Sequence, residues 1–202
     1  MVAIIDYDAG NIRSVEKALV HIGADPVITR DSEVIRAAGH VILPGVGAFG
    51  DAMEKLDRYG LIPVIRDTVA AGKPFLGICL GLQLLFEESE ESPGSIGLNL
   101  LEGKIRRIPD GPGRKVPQIG WNSLHFDHEG RLFRGIPEDT CVYFVHSYYL
   151  EAKDKKIVTA STEYGVNIHA SVEKDNLFAC QFHPEKSGKW GLKMLKNFCE
   201  LK

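Results

Sequence analysis

Cysteine is scarce in this chain, and its four copies, Cys79, Cys141, Cys180 and Cys199, stand far apart with no CxxC pair. That spacing excludes a disulfide framework and a zinc site built on paired cysteines. His21, His40, His125, His128 and His169 show no ligand spacing either, so no metal is expected. Long apolar runs are missing: no stretch approaches the roughly 18 uncharged residues that a transmembrane helix needs. The opening MVAIIDYDAG has neither a basic leader nor a small-residue cleavage site, so the expectation is a cytoplasmic protein away from membranes. A positive excess is absent as well. The net charge of -3 offers no basic field for phosphate backbones, which points away from nucleic acid and toward small molecules or proteins as partners.

Hydrophobic residues make up 44% and charged residues 25% of the 202 positions, close to the average for soluble globular domains. A chain of this length suits one domain spanning residues 1–202. Over the first 90 residues, short apolar runs alternate with amphipathic segments: VAIID at 2–6, a helical pattern at 11–22, PVIT at 26–29 and HVILP at 40–44. A second helical pattern at 61–72 precedes PFLGI at 74–78, whose unbroken apolarity fits a strand buried on both faces. This rhythm predicts an α/β fold with a mainly parallel central sheet flanked by helices. Beyond Ser89, the acidic EESEESPGSIG reads as a loop. Strands expected at 101–108, 116–125, 141–149, 157–162, 167–172 and 177–182 read as antiparallel additions, with a closing helix at 188–201.

The segment PFLGICLGLQLLF runs from a strand pattern through Gly77-Ile78-Cys79-Leu80-Gly81 into a helical pattern. Glycines two residues to either side permit the tight turn of a nucleophile elbow, here with sulfur in place of the serine oxygen. At a helix N-terminus, backbone N–H groups and the helix dipole favour a thiolate. The alternative for Cys79 is a buried structural cysteine between close-packed glycines; Cys141, Cys180 and Cys199 lie in strand or helix patterns and are expected to be small core hydrophobes. FACQFHPEK supplies the base, His183, and two residues on a carboxylate, Glu185. In extended chain, residues i and i+2 share a face, so both side chains are expected to converge on one site.

Pro44-Gly45-Val46-Gly47-Ala48-Phe49-Gly50 satisfies GxGxxG, and Asp67 lies near the spacing of a ribose-binding acid. The motif does not follow the first strand, however, and Asp67 falls inside a helical pattern, so no dinucleotide cofactor is expected. The N–H groups of Gly45, Val46 and Gly47, with that of Leu80, instead read as an oxyanion hole. Because glycine lets a peptide rotate, the N–H groups of this loop can turn toward or away from that hole.

Through PGVGAFG, GICLGLQLLF and QFHPEKSG, in that order and spacing, the chain resembles class-I, triad-type glutamine amidotransferases. More narrowly, DYDAGNIRSVEKAL, KVPQIGWN and YFVHSYY resemble the glutaminase subunits of imidazole glycerol phosphate synthases. The resemblance implies a flavodoxin-like fold, no cofactor and no metal. It also implies a glutaminase reaction carried by Cys79, His183 and Glu185. Gln83 and Gly47 would hold glutamine, with Ser147 and Tyr148 at its amino-acid end. Ammonia would pass to a separate (βα)8-barrel cyclase subunit in a heterodimer. The same resemblance assigns Trp121, Asn122, Tyr143, His146 and Lys186 to the partner-facing surface. A glutaminase serving pyridoxal phosphate synthesis, a stand-alone cysteine hydrolase and a silent binding module remain open at this point.

Overall fold

The computed structural model describes residues 1–202. The chain opens with strand β1 (Val2–Ile5), helix α1 (Ile12–His21), β2 (Pro26–Thr29), α2 (Ser32–Ala37) and β3 (His40–Gly45). Helices α3 (Phe49–Arg58) and α4 (Leu61–Ala70) lead to β4 (Phe75–Cys79) and the short α5 (Leu80–Leu84). Eight further strands follow: β5 (Glu88–Ser89), β6 (Gly103–Arg107), β7 (Gln118–Ser123), β8 (His125–Phe126), β9 (Cys141–His146), β10 (Tyr148–Ala152), β11 (Val158–Glu163) and β12 (Asn167–Lys174). Strand β13 (Leu177–Cys180) and helix α6 (Gly188–Cys199) close the chain.

The central sheet has the order β2-β1-β3-β4-β13-β12-β11-β8. Its first five members are parallel and its last three antiparallel. The order is that of a flavodoxin-like doubly wound sheet, in which ligands collect at the carboxyl ends of the strands. Alternation along each strand divides the core into two layers. Ala3, Ile5, Val41 and Leu43 pack with Phe49, Leu56, Val64 and Ile65 of α3 and α4 on one face. Val2, Ile4, Ile42 and Leu76 pack with Val15, Leu19, Leu195 and Phe198 of α1 and α6 on the other. Two small sheets, β10-β6-β5 and β7-β9, form a wall over the carboxyl edge.

Three expectations need correction. Residues 177–182 were read as an antiparallel strand, yet β13 runs parallel to β4, with Cys180 opposite Ile78. The hairpin with β12 reverses the chain, so β13 enters beside β4 in the same direction and delivers His183 to the carboxyl edge. The run 141–149 is two strands, not one. It breaks at Ser147, where β9 leaves its pairing with β7 and β10 joins β6 in another sheet. Finally, Cys141 is exposed and Cys199 only partly covered, whereas Cys180 is buried as expected.

The acidic segment after α5 is mostly loop, but it does structural work. Helix α3 begins after Ala48, which has no side-chain acceptor for the free N–H groups of the first turn. Glu91 supplies one to Phe49 N at 2.7 Å, and Ser92 Oγ accepts from Gly50 N at 3.0 Å.

Gly81 sets how closely α5 lies on the sheet, because a Cβ there would sit 1.9 Å from the Leu43 carbonyl oxygen. Backbone cannot yield like a flexible side-chain tip. Gly81→Ala is therefore expected to destabilise the protein by about 3 kcal/mol or more, or to prevent folding. Urea unfolding measures it, and a midpoint unchanged from wild type would contradict this close approach.

Candidate active site

Cys79 ends β4 with φ 55° and ψ −109°, a positive-φ backbone outside the left-handed helical well that a side-chain-bearing residue adopts only under constraint. This is the strained turn expected of an elbow, and it aims the sulfur into a cleft at the carboxyl edge of the sheet. Helix α5 has only five residues, so its dipole is weaker than the sequence pattern suggested.

His183 follows β13 and caps a 3-10 turn, Pro184–Lys186. The convergence of His183 and Glu185 comes from this turn and not from the i, i+2 alternation of an extended strand. Their side chains meet at 2.7 Å, Nδ1 to Oε1, with 1% and 0% exposure. Ser187 locks the turn by donating to the His183 carbonyl at 2.6 Å while accepting from Tyr143 N at 3.0 Å. Burial lowers the His183 pKa, but the Cys79 sulfur and the Glu185 carboxylate outweigh it and raise the value to about 9. The Nε2 atom, on the Cys79 side of the ring, has no hydrogen-bond partner of its own.

Two residues not singled out in the sequence complete the surroundings. Asn11 holds φ 68° at the start of α1, where its side chain caps nothing in its own helix. Its Nδ2 instead donates to Glu185 Oε1 at 2.5 Å and lies 3.5 Å from His183 Nδ1. Tyr7, buried with its pKa raised by desolvation, donates to the Pro44 carbonyl at 2.9 Å and supports the turn at Gly45 from behind. Asparagine tolerates the left-handed region well, so DAGN after a strand was the available signal for Asn11.

The cleft beside Cys79 has a volume of about 290 Å³. Val46, Gly47, Leu80, Gln83, Ser147 and Tyr148 line it together with Glu91. Gly45 stands one step back, paired in register with Cys79. Gly47 has φ 101°, and the N–H groups of Val46 and Gly47 have no acceptor within the protein. A larger open groove of about 550 Å³ between Phe126 and Ile136 contains no nucleophile, so chemistry and not size selects the site.

The five residues assigned to the partner-facing surface separate into two groups. Trp121 is 58% exposed and packs edge-on against Tyr143 at 6.0 Å, with Lys186 Nζ 6.0 Å from the Tyr143 ring centre. Asn122 lies beside them and donates to the Glu163 carbonyl at 2.9 Å. His146 does not belong to this surface: it is 6% exposed and forms part of the cleft wall. On β9 it alternates with the half-buried Tyr143 and Val145 and points inward. Burial lowers its pKa to about 4, so it is neutral at pH 7 and donates from Nδ1 to the Tyr148 carbonyl at 2.7 Å.

Residues 3–201 match the family described as glutamine amidotransferase class-I. The chain belongs to this family. A Moorella thermoacetica protein named imidazole glycerol phosphate synthase subunit HisH is 53% identical over 200 residues, covering 99% of this chain and 94% of that one. A protein of the same name from Methanothermobacter thermautotrophicus is 52% identical, covering 100% and 98%. Among solved structures, a glutamine amidotransferase aligns with TM-score 0.77 at 22% identity over 99% of this chain and 98% of that one. The PurLQS complex of Thermotoga maritima contains a chain that aligns with TM-score 0.73 at 21% identity, covering 98% and 96%. These two likenesses concern the fold. This amidotransferase is an enzyme, and no helix in it is long and apolar enough to cross a membrane.

Two outcomes follow from the geometry. Asn11→Ala frees the Glu185 carboxylate to turn, and kcat for glutamine hydrolysis is expected to fall about 10- to 100-fold with little change in KM. Steady-state kinetics decide, and an unchanged kcat would remove Asn11 from the site. The second outcome concerns pH: because folding raises the His183 pKa from 6.5 to about 9, the bound proton stabilises the fold fully below pH 6.5. That contribution is lost as the pH rises through about 9. Urea unfolding between about pH 6 and about pH 10 should show the wild type losing its advantage over His183→Gln across that window.

Proposed function

We propose that this chain is the glutaminase subunit of an imidazole glycerol phosphate synthase, with Cys79, His183 and Glu185 as its catalytic triad. The observation that carries the mechanism is the buried His183–Glu185 pair beside a strained, cleft-facing Cys79. Identity above 50% over nearly the whole length of relatives bearing that name supports the assignment.

In this reading the Cys79 thiolate attacks the side-chain amide carbon of glutamine, and charge moves to the amide oxygen. The N–H groups of Val46 and Gly47, with that of Leu80, stabilise this oxyanion. The C–N bond breaks as the His183 imidazolium gives its proton to the departing nitrogen, releasing ammonia and leaving a glutamyl thioester. His183, now neutral, takes a proton from water, whose oxygen attacks the thioester and frees glutamate and the thiolate. Glu185 holds the imidazole in one tautomer, and Asn11 holds Glu185.

The cleft also accounts for selection of an amino acid. Both protons of Gln83 Nε2 are committed, to the Tyr148 carbonyl and to Gln181, each at 3.0 Å, so Gln83 has only its oxygen left to offer. With the Glu91 carboxylate on the same wall, two acceptors are placed to receive the α-ammonium of glutamine.

The exposed Trp121 and Lys186, with the half-buried Asn122 and Tyr143, form the proposed docking face for a (βα)8-barrel cyclase subunit, which takes ammonia directly in a cytoplasmic heterodimer. The chain acts as a single domain, residues 1–202. Docking reorients the Gly45–Gly47 segment and completes the oxyanion hole.

The isolated chain is therefore expected to hydrolyse glutamine slowly and to gain about 100- to 1000-fold when its cyclase and the cyclase's nucleotide are present. Cys79→Ala abolishes the glutamine-dependent reaction but leaves synthesis of imidazole glycerol phosphate from added ammonium intact in the complex. Equal rates with and without the partner would refute the gate, and loss of the ammonium reaction would refute the division of labour. Glu91→Gln keeps an oxygen for the α3 cap but removes the charge, so KM for glutamine should rise about tenfold with kcat nearly constant.

A further inference from the structure

A chain of amides runs beneath the cleft and ends on the nucleophile. The Tyr148 carbonyl accepts from Gln83 Nε2 at 3.0 Å, and the same Nε2 donates to Gln181 Oε1 at 3.0 Å. Gln181 Nε2 then lies 3.7 Å from Cys79 Sγ. Gln181 is fully buried and Gln83 nearly so, with 0% and 4% exposure.

The direction of this chain is forced. A backbone carbonyl only accepts, so Gln83 must turn its NH2 group toward Tyr148, and that NH2 also meets Gln181. Gln181 must then present its oxygen to Gln83 and its own NH2 group to sulfur. The Tyr148 oxygen cannot relax this order by moving, because His146 Nδ1 also donates to it, at 2.7 Å. Besides His183, the Val145 carbonyl lies near sulfur at 4.0 Å, where it suits a thiol proton and repels an anion. With α5 only five residues long, a side-chain donor matters more here than the helix dipole.

We infer that Gln181 holds the resting thiolate of Cys79, donating a hydrogen bond to it from an amide whose orientation Gln83 and the Tyr148 carbonyl lock. The bond is strongest to the anion and weakens as the C–S bond forms and charge leaves sulfur for the amide oxygen. Gln181 thus increases the reactive fraction of the nucleophile, and Gln83 serves both the substrate and, through Gln181, the sulfur. The inference deepens the proposed glutaminase role, in which Cys79 is the nucleophile.

The test is alkylation of Cys79 by iodoacetamide in the full chain, followed site by site with mass spectrometry across pH. It needs neither glutamine nor a partner, so its result is separate from the glutaminase assignment, which an assay of glutamate release on the same samples reports. Exposed Cys141 serves as the internal reference, and Cys180, whose thiol pKa burial raises, should stay unlabelled. For Gln181→Leu, Cys79 labelling at neutral pH is expected to fall about tenfold, the scale of one hydrogen bond to a charged group. At alkaline pH, where the thiol ionises without help, the rate should return to the wild-type value, and Cys141 should be unaffected throughout. Gln83→Met, which leaves sulfur untouched but unlocks the Gln181 amide, should give a smaller loss with the same alkaline recovery. An unchanged neutral-pH rate in folded Gln181→Leu overturns the inference. A loss that persists at alkaline pH also overturns it, since that marks altered access. If Gln181→Leu does not fold, an unchanged rate in Gln83→Met is the overturning result.

Discussion

The contact between His183 Nδ1 and Glu185 Oε1 places an imidazole and a carboxylate together where neither reaches water. Burying such a pair costs several kcal/mol per ion unless its remaining polar atoms find partners, and much of the surrounding structure serves that requirement. Asn11 adopts a left-handed backbone to bring its amide to the shared Glu185 oxygen. Ser187 bridges His183 and β9, fixing the turn that makes the two side chains meet. Glu185 Oε2 and His183 Nε2 are still left without partners. Native structures rarely tolerate such buried orphans outside sites that do chemistry.

A second constraint acts at the elbow. Cys79 can occupy its strained conformation because Gly77 and Gly81 let the following helix approach the sheet backbone. Strain of this kind costs about 1–3 kcal/mol and persists only where neighbours over-determine it. Here the neighbours are β3 on one side and β13 on the other, both parallel to β4 and both ending at the cleft. In the proposed arrangement, the short α5 leaves the holding of an anion to side-chain amides rather than to a backbone dipole. That is consistent with Gln83 and Gln181 both being buried beneath the cleft.

The wall over the cleft links binding to the proposed partner. Strand β9 carries Tyr143 outward to Trp121 and His146 inward to the cleft, and its end leads through Ser147 to the Tyr148 carbonyl. One short strand therefore spans the proposed docking face and the cleft. A displacement of β9 reaches both, because its residues alternate between them.

From the sequence alone, the local patterns were legible. Short apolar runs gave β1 to β4, the glycine spacing gave the elbow at Cys79, and the strand ending in His183-Pro184-Glu185 gave the candidate base and its carboxylate. These follow from steric and hydrophobic rules that act within a few residues. Even the close relation to glutamine amidotransferases rests on such short segments, in order along the chain. What only the tertiary structure decided were the non-local contacts. They include the parallel entry of β13, the break at Ser147, the burial of His146, the capping of α3 by Glu91, the reach of Asn11 to Glu185, and the amide chain from Tyr148 to the sulfur. Each depends on which strand lies beside which and on where a polar group finds its partner once water is excluded. An amide or carboxylate has the same local preferences whether it ends in solvent or against a nucleophile, so its sequence neighbours carry no sign of the difference.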